Sequence, residues 1–151
     1  QGDNVDSIEV NTPVMVLGSL QAYKNFITGK VLVYVLAETV QQIAGEHWNY
    51  ENEVQLSGAL GSDITYRETP LGKHISDISI LVENRLKDLH GCYIPCIAWN
   101  DTAAMVKEWH EGEHVTLKGK LQSRAYTKRI SEQQEEQRTA YEVSIYAIGK
   151  A

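Results

Sequence analysis

The alternation of apolar and polar residues between His114 and Tyr126 constrains the fold more than any other feature of the sequence. One face of an extended segment would carry Val115, Leu117, Gly119 and Leu121, and the other would carry Lys118, Lys120 and Gln122. Successive side chains of a β-strand point to opposite faces, so this pattern predicts a strand with one buried face. A chain with this segment must therefore build a sheet.

Shorter segments predict four further strands. They span Val54–Leu60, Ile75–Val82, Cys92–Trp99 and Tyr141–Ile148. Gly58 marks a bulge or a point of close approach in the first of them. Between the first two, Pro70 and Gly72 predict a loop or a short hairpin over residues 63–72.

One helix is predicted after the third of these strands. Asp101 and Thr102 are expected to cap a helix over residues 103–110, which Gly112 ends. The polar residues 131–138 predict a mobile tip between the last two strands.

This order of elements predicts an all-β chain. It consists of a five-stranded barrel with one helix between strands 3 and 4 and a long final hairpin, which is the order of the oligonucleotide-binding (OB) fold. Another small barrel is the alternative on pattern alone.

The first 51 residues resemble part of a second such fold. Two apolar strands, residues 13–23 and 30–40, predict a hairpin joined near residues 25–29. Its first strand matches the segment around Gly119 at a separation of 101 positions, and its second matches the segment around Ile145 at 112, which makes the later hairpin 11 residues longer. We therefore expect a partial OB-fold segment and linker at 1–51 (hairpin about 13–42) and a complete OB-fold domain at 52–151. Chance similarity between two alternating strands is the alternative.

Charge and composition exclude several classes of protein. The formal net charge of −6 disfavours a nucleic-acid partner, yet residues 115–131 carry five basic residues and no acid, and local charge governs local binding. No run of about 18 apolar residues predicts a membrane span. The polar, acidic first residues are unlike a signal peptide, and two cysteines are too few for a disulfide framework, so a cytoplasmic location is expected.

Catalytic and metal chemistry is not predicted. Cys92 and Cys96 lie four apart in a predicted strand, about 13 Å between Cα atoms, too far for a disulfide. A zinc site would recruit His90, or His110 and His114, but the spacing fits no structural zinc motif. No phosphate loop or nucleophile elbow is present. We therefore expect no enzyme activity, no cofactor and no metal.

The core of the chain resembles the bacterial single-stranded DNA-binding protein family. Five segments in order carry the resemblance: NEVQLSGALGSD (52–63), YRETPLGK (66–73), YIPCIAWNDTA (93–103), GEHVTLKGKLQSRAY (112–126) and TAYEVSI (139–145). The preceding half-repeat indicates a divergent branch of that family with a partial extra OB fold at the N-terminus.

The resemblance implies a set of DNA-binding residues. The family's stacking aromatics match Tyr93, Trp99 and Tyr126, and the first two lie six apart in one strand and hence on one face. A further stacking aromatic of the family falls near Arg85, where this chain has none. The residues expected to bind phosphates are Arg67, Lys73, Arg85, Lys118, Lys120, Arg124, Lys128 and Arg129.

The sequence therefore predicts a protein that binds single-stranded DNA without sequence preference, in replication, recombination or repair. The first alternative is an OB-fold protein-interaction module that has lost nucleic-acid binding, and the second is a metal-dependent nuclease. The resemblance implies a homo-oligomer, with a dimer favoured over a tetramer, and a nucleoid-associated location in the cytoplasm. The acidic C-terminal tip with which the family recruits partner proteins is not expected in a chain that ends AIGKA.

Overall fold

The computed structural model describes residues 4–45, 48–83 and 91–151. Within these ranges a 3-10 turn, Val5–Ser7, precedes eight strands and one α-helix. The strands are β1 (Val14–Lys24), β2 (Val31–Gln42), β3 (Val54–Leu60), β4 (Thr65–Glu68), β5 (His74–Val82), β6 (Cys92–Trp99), β7 (His114–Ser131) and β8 (Gln134–Lys150). The helix α1 (Asn100–Val106) lies between β6 and β7.

Five of these strands close into a barrel. The larger sheet has the order β3-β7-β8-β6-β5-β4, and an additional pairing of β3 with β5 closes five of its strands and leaves β4 at the edge. All neighbours are antiparallel except β6 and β8, which are parallel at Cys96 and Val143. With α1 between the third and fourth barrel strands, this is the predicted all-β OB fold, and the prediction is confirmed.

The core follows the predicted alternation. Val115, Leu117 and Gly119 are buried, whereas Lys118 and Lys120 are exposed on the other face of β7. Gly58 allows β3 to approach β5, because a β-carbon at position 58 would collide with the backbone oxygen of Leu81. The predicted close approach at this glycine is confirmed, and it lies where the barrel closes.

The helix differs from its prediction at both ends. It covers Asn100–Val106, its N-cap is Trp99 without a side-chain capping bond, and Asp101 and Thr102 lie inside the first turn. The side chain of Asn100 instead accepts a hydrogen bond from the backbone N–H of His74 at 3.4 Å, which fixes the end of β6. After Val106 the chain tightens, because the N–H groups of Glu108 and Trp109 donate to carbonyls three residues back.

The predicted mobile tip at residues 131–138 is wrong. β7 continues to Ser131 and β8 begins at Gln134, so Glu132 and Gln133 alone form the turn. The register places Lys128 opposite Glu136 and Arg129 opposite Glu135. Opposite charges directly across two antiparallel strands stabilise the pairing, so a polar sequence forms a ribbon here.

The N-terminal hairpin forms a separate two-stranded sheet with the predicted bounds to within two residues. β1 and β7 match as predicted, since each register shift falls just before the matching glycine, Gly18 or Gly119. The return strands do not match at 112. Gly18 pairs with Ala37 and Gly119 with Ile145, which separates the return strands by 108 positions and makes the later hairpin seven residues longer. The offset of 112 aligns Val31, Val33 and Tyr34 with Val143, Ile145 and Tyr146. Two alternating strands give similar matches at any offsets that differ by an even number of residues, so the pattern did not determine the correct offset.

Candidate nucleic-acid interface

The predicted stacking residues of β6 lie on the outer surface of the barrel. Tyr93 and Trp99 alternate with Ile94, Cys96 and Ala98, which are buried in the core. Tyr93 is 54% exposed and lies opposite Leu81 of β5. Trp99 is half-buried and lies opposite Ile75. The spacing of six residues therefore places both rings on one surface, about 20 Å apart along the strand.

The Trp99 ring is held in a fixed orientation. Its indole Nε1 donates a hydrogen bond to the Ser144 hydroxyl on β8 at 2.9 Å. The ammonium of Lys73 lies 5.9 Å from the ring centroid, within the range of a cation–π contact. Because the ring is already held at its edge, little side-chain conformational entropy is lost when a flat base stacks on it.

Tyr126 lies beside a groove next to this surface. The groove has a volume of about 620 Å³, and the extension of β7 and β8 beyond the barrel forms one side of it. Tyr126, half-buried, has the guanidinium carbon of Arg124 5.9 Å from its ring centroid. Other lining residues on this side and on the barrel are Lys128, Arg138, Asp77, Ser79 and Pro95.

Carboxylates neutralise the arginines of this surface. Arg124 donates two hydrogen bonds of 3.1 Å to Glu142, which is only 5% exposed and also accepts from Gln122 at 2.9 Å. These bonds raise the pKa of Arg124 above its ordinary value. Arg67 donates to Asp77 at 3.0 Å. Buried charges are stable only when they are paired and hydrogen-bonded in this manner.

The lysines of the same surface have no such partners. Lys73, Lys118, Lys120 and Lys128 are exposed and form no ion pair within residues 4–45, 48–83 and 91–151. Arg129 donates to the backbone oxygen of Glu132 at 3.2 Å, lies opposite Glu135 in the register and forms no ion pair among the described residues. The predicted phosphate residue Arg85 lies outside the described residues, as does His90.

Two basic residues of the groove escaped the sequence analysis. Arg138 lies opposite Tyr126 in the register and donates to Glu136 at 3.2 Å, and its buried Nε has no hydrogen-bond partner among the described residues. The signal that would have revealed it is the alternation of β8, had the strand been extended through residues 134–140. Lys30, on the N-terminal hairpin, also lines the groove.

Among the described residues, the cysteines form no disulfide and the potential metal ligands form no group. Cys92 and Cys96 are free and buried, and burial raises the pKa of the Cys96 thiol well above its ordinary value. Among the described residues, no three His, Cys, Asp or Glu side chains are grouped so that they could hold a metal ion. The α-helix of the described residues, α1, is too short to cross a membrane.

Comparison with known proteins identifies the family. Residues 51–149 match the model of the single-strand binding protein family. A single-stranded DNA-binding protein of Deinococcus radiodurans is 32% identical over 82 residues, which are 50% of this chain and 27% of that protein. This chain thus spans about a quarter of that relative's length.

Solved structures share the fold. The wild-type single-stranded DNA binding protein from Thermus aquaticus superposes with a TM-score of 0.72 at 21% identity, over 97% of this chain and 62% of that one. A deletion mutant of the same protein gives a TM-score of 0.68 at 21% identity, over 91% of this chain and 60% of that one. Because the family model covers well over half of the sequence, the chain belongs to the single-strand binding protein family.

Proposed function

We propose that this protein binds single-stranded DNA without sequence preference. The observation that carries the proposal is the outer surface itself, where Tyr93, Trp99 and Tyr126 lie with lysines that form no ion pair in the part of the chain that the structure describes. Any base can stack on a flat ring, and an ammonium without an ion-pair partner can donate to any phosphate. The surface therefore requires no particular DNA sequence. Each base–aromatic contact contributes about 1–3 kcal/mol in such proteins.

The phosphate path follows β7. Lys118 and Lys120 lie on the outer face of this strand, and Lys128 follows on the same face beyond Tyr126. An alternate residue rises about 7 Å along a strand, which is close to the spacing of phosphates in an extended single strand. Lys73 lies beside Trp99 at the other side of the surface.

Salt titration with a fluorescent oligo-dT tests the proposal. If four to six phosphates are neutralised, log K should fall with log salt at a slope of about −3 to −4, because each phosphate contributes about −0.7 for single strands. A duplex of equal length is the control and should bind far more weakly. Equal affinity for both forms, or a flat salt response, would contradict the proposal.

One observation favours a second function, an OB-fold module for protein interaction. Four acids, Asp63, Asp77, Glu136 and Glu142, line the same groove as its basic residues. Such a balanced surface suits a protein partner with charges of both signs. Failure to bind oligo-dT at low salt, with the fold intact, would favour this function.

The finer assignments rest on the same surface and on the hairpin. We propose a role in replication, recombination or repair, in the cytoplasm near the nucleoid. We also propose that β1–β2 corresponds to β7–β8 of a second, partial OB fold, which the matching register shifts support. A homodimer is the proposed assembly, because an isolated two-stranded sheet leaves both of its edges unpaired.

A further inference from the structure

The groove beside Tyr126 has a second wall, which is formed by residues outside the range 51–149 that matches the family model. Gly29, Lys30 and Val31 line it across from the β7–β8 arm. These residues form the tip of the N-terminal hairpin, which precedes the matched residues 51–149. A strand lying along β7 would therefore pass between two hairpins.

The hairpin is fixed to the barrel, so its tip has a defined place. Leu20 and Ala22 are buried in the same core cluster as the barrel residues. The side-chain amide of Gln21, itself buried, donates to the backbone oxygen of Glu83 at 3.1 Å. A buried, hydrogen-bonded glutamine of this kind fixes orientation as well as position.

The tip itself is ordered by local hydrogen bonds. The N–H of Asn25 donates to the oxygen of Lys30 at 2.8 Å, and the N–H of Gly29 donates to the oxygen of Asn25 at 2.7 Å. The Asn25 side chain accepts from the N–H of Ile27 at 2.9 Å. Gly29 has a φ of +74°, which closes the turn without strain.

Lys30 carries a charge that is only half-compensated. Its Nζ lies 3.9 Å from Glu136 Oε1, while Arg138 donates to Glu136 Oε2 at 3.2 Å. Two cations thus share one carboxylate, and these three side chains together carry one net positive charge. The Lys30 side chain is 59% exposed, so its ammonium can move to a phosphate while Arg138 keeps Glu136.

We propose that the tip of the N-terminal hairpin forms the second wall of the nucleic-acid groove and that Lys30 binds a phosphate of the single strand. This inference rests on the proposed function of the outer surface. It extends the binding site to a segment outside the matched family region.

Charge reversal on the full chain tests the inference, with Lys24→Glu as the matched control for Lys30→Glu. Lys24 lies on the same hairpin, is exposed and does not line the groove, so both variants change the net charge equally. Lys30→Glu should weaken oligo-dT binding by about ten-fold and reduce the magnitude of the salt slope by about 0.7. Lys24→Glu should weaken binding clearly less than Lys30→Glu, because the Lys24 side chain does not line the groove and an exposed charge outside it is partly screened by salt.

Two further measurements separate the possible failures. Lys30→Arg should restore binding, and equal melting temperatures of the variants would show that the fold is kept. If the natural chain binds oligo-dT but Lys30→Glu and Lys24→Glu weaken binding equally, or neither does, the inference is overturned and the proposed function stands. If the natural chain does not bind oligo-dT, the proposed function itself fails.

Discussion

At the scale of single residues, the outer surface divides its two kinds of cation between two tasks. The arginines Arg67, Arg124 and Arg138 each donate to a carboxylate, whereas four lysines of this surface form no ion pair among the described residues: Lys73, Lys118, Lys120 and Lys128. Arginine recognises planar groups through a rigid fork, but an ammonium is a point charge on a flexible stem. A surface whose free cations are mainly lysines can bind phosphates without selecting geometry or sequence.

Removing one of the carboxylates should therefore strengthen binding. Asp77→Asn releases Arg67 and removes a negative charge from the groove. We expect affinity for oligo-dT to rise about three- to ten-fold and the salt slope to steepen by about 0.7, as one more phosphate is neutralised. Glu68→Gln is the control, because Glu68 lies on the other face of β4. Weaker binding by Asp77→Asn would show that Asp77 positions Arg67 for the strand.

The indole of Trp99 should carry a measurable share of the binding energy. Trp99→Ala is expected to cost about 1–3 kcal/mol in oligo-dT affinity, because a stacking platform is lost. Trp48→Ala is the control, since Trp48 is exposed but packs edge-on against Tyr50 at 4.7 Å, away from the groove. Fluorescence quenching on binding should disappear in the Trp99 variant only. Unchanged affinity in both variants would place the strand elsewhere.

At the scale of elements, the sequence predicted strands well and their ends poorly. Alternation identified β7, because burial on one face of a strand imposes a period of two on the sequence. The arm over residues 131–138 was missed because its residues are polar on both faces, so no alternation of apolar and polar residues marks a strand there. The helix caps were misplaced because Asn100 bonds to His74, a contact between segments that local capping rules do not include.

The site was predictable only where one strand determines it. Tyr93 and Trp99 share a face through their spacing in β6 alone, and the structure shows that geometry. The groove was not predictable, because it arises where Lys30 of one hairpin meets Arg138 of another, and residues far apart in sequence are brought together by packing. The pairing of Arg124 with Glu142 likewise depends on the register of two strands.

The glycine at the bend of β7 should be essential to the barrel. A β-carbon at position 119 would collide with the backbone oxygen of Ser144, which cannot move without breaking the β7–β8 register. We expect Gly119→Ala to lower the free energy of unfolding by about 1–3 kcal/mol. Gly149→Ala is the control, because nothing lies within 4 Å of a β-carbon there. Chemical denaturation of both variants measures the difference, and equal stabilities would contradict the argument.

At the scale of the whole molecule, the N-terminal hairpin is covered by the barrel in the middle of β1 and leaves apolar side chains exposed elsewhere. Leu20 and Ala22 are buried against the barrel. Leu17 and Tyr23 lie on the other face of β1, and Leu32 is opposite Tyr23 in the register. Leu17 is 58% and Leu32 59% exposed. Gln21 lies on the same face as Leu17 and Tyr23 and is buried, so the barrel covers both faces in the middle of β1 and leaves apolar residues nearer its ends exposed. Several exposed apolar residues on one small sheet indicate a contact with another molecule.

The exposed apolar side chains of the hairpin should hold two copies of the chain together, because a two-fold axis lets one apolar surface cover its own equivalent. We expect light scattering to give the mass of a dimer for the natural chain. The double variant Leu17→Glu/Leu32→Glu should give the mass of a monomer, since it places charges in the contact. Leu71→Glu is the control, because Leu71 is 90% exposed at the turn between β4 and β5. If the double variant keeps the mass of the natural chain, the hairpin is not the contact, and the proposed homodimer must use the barrel instead.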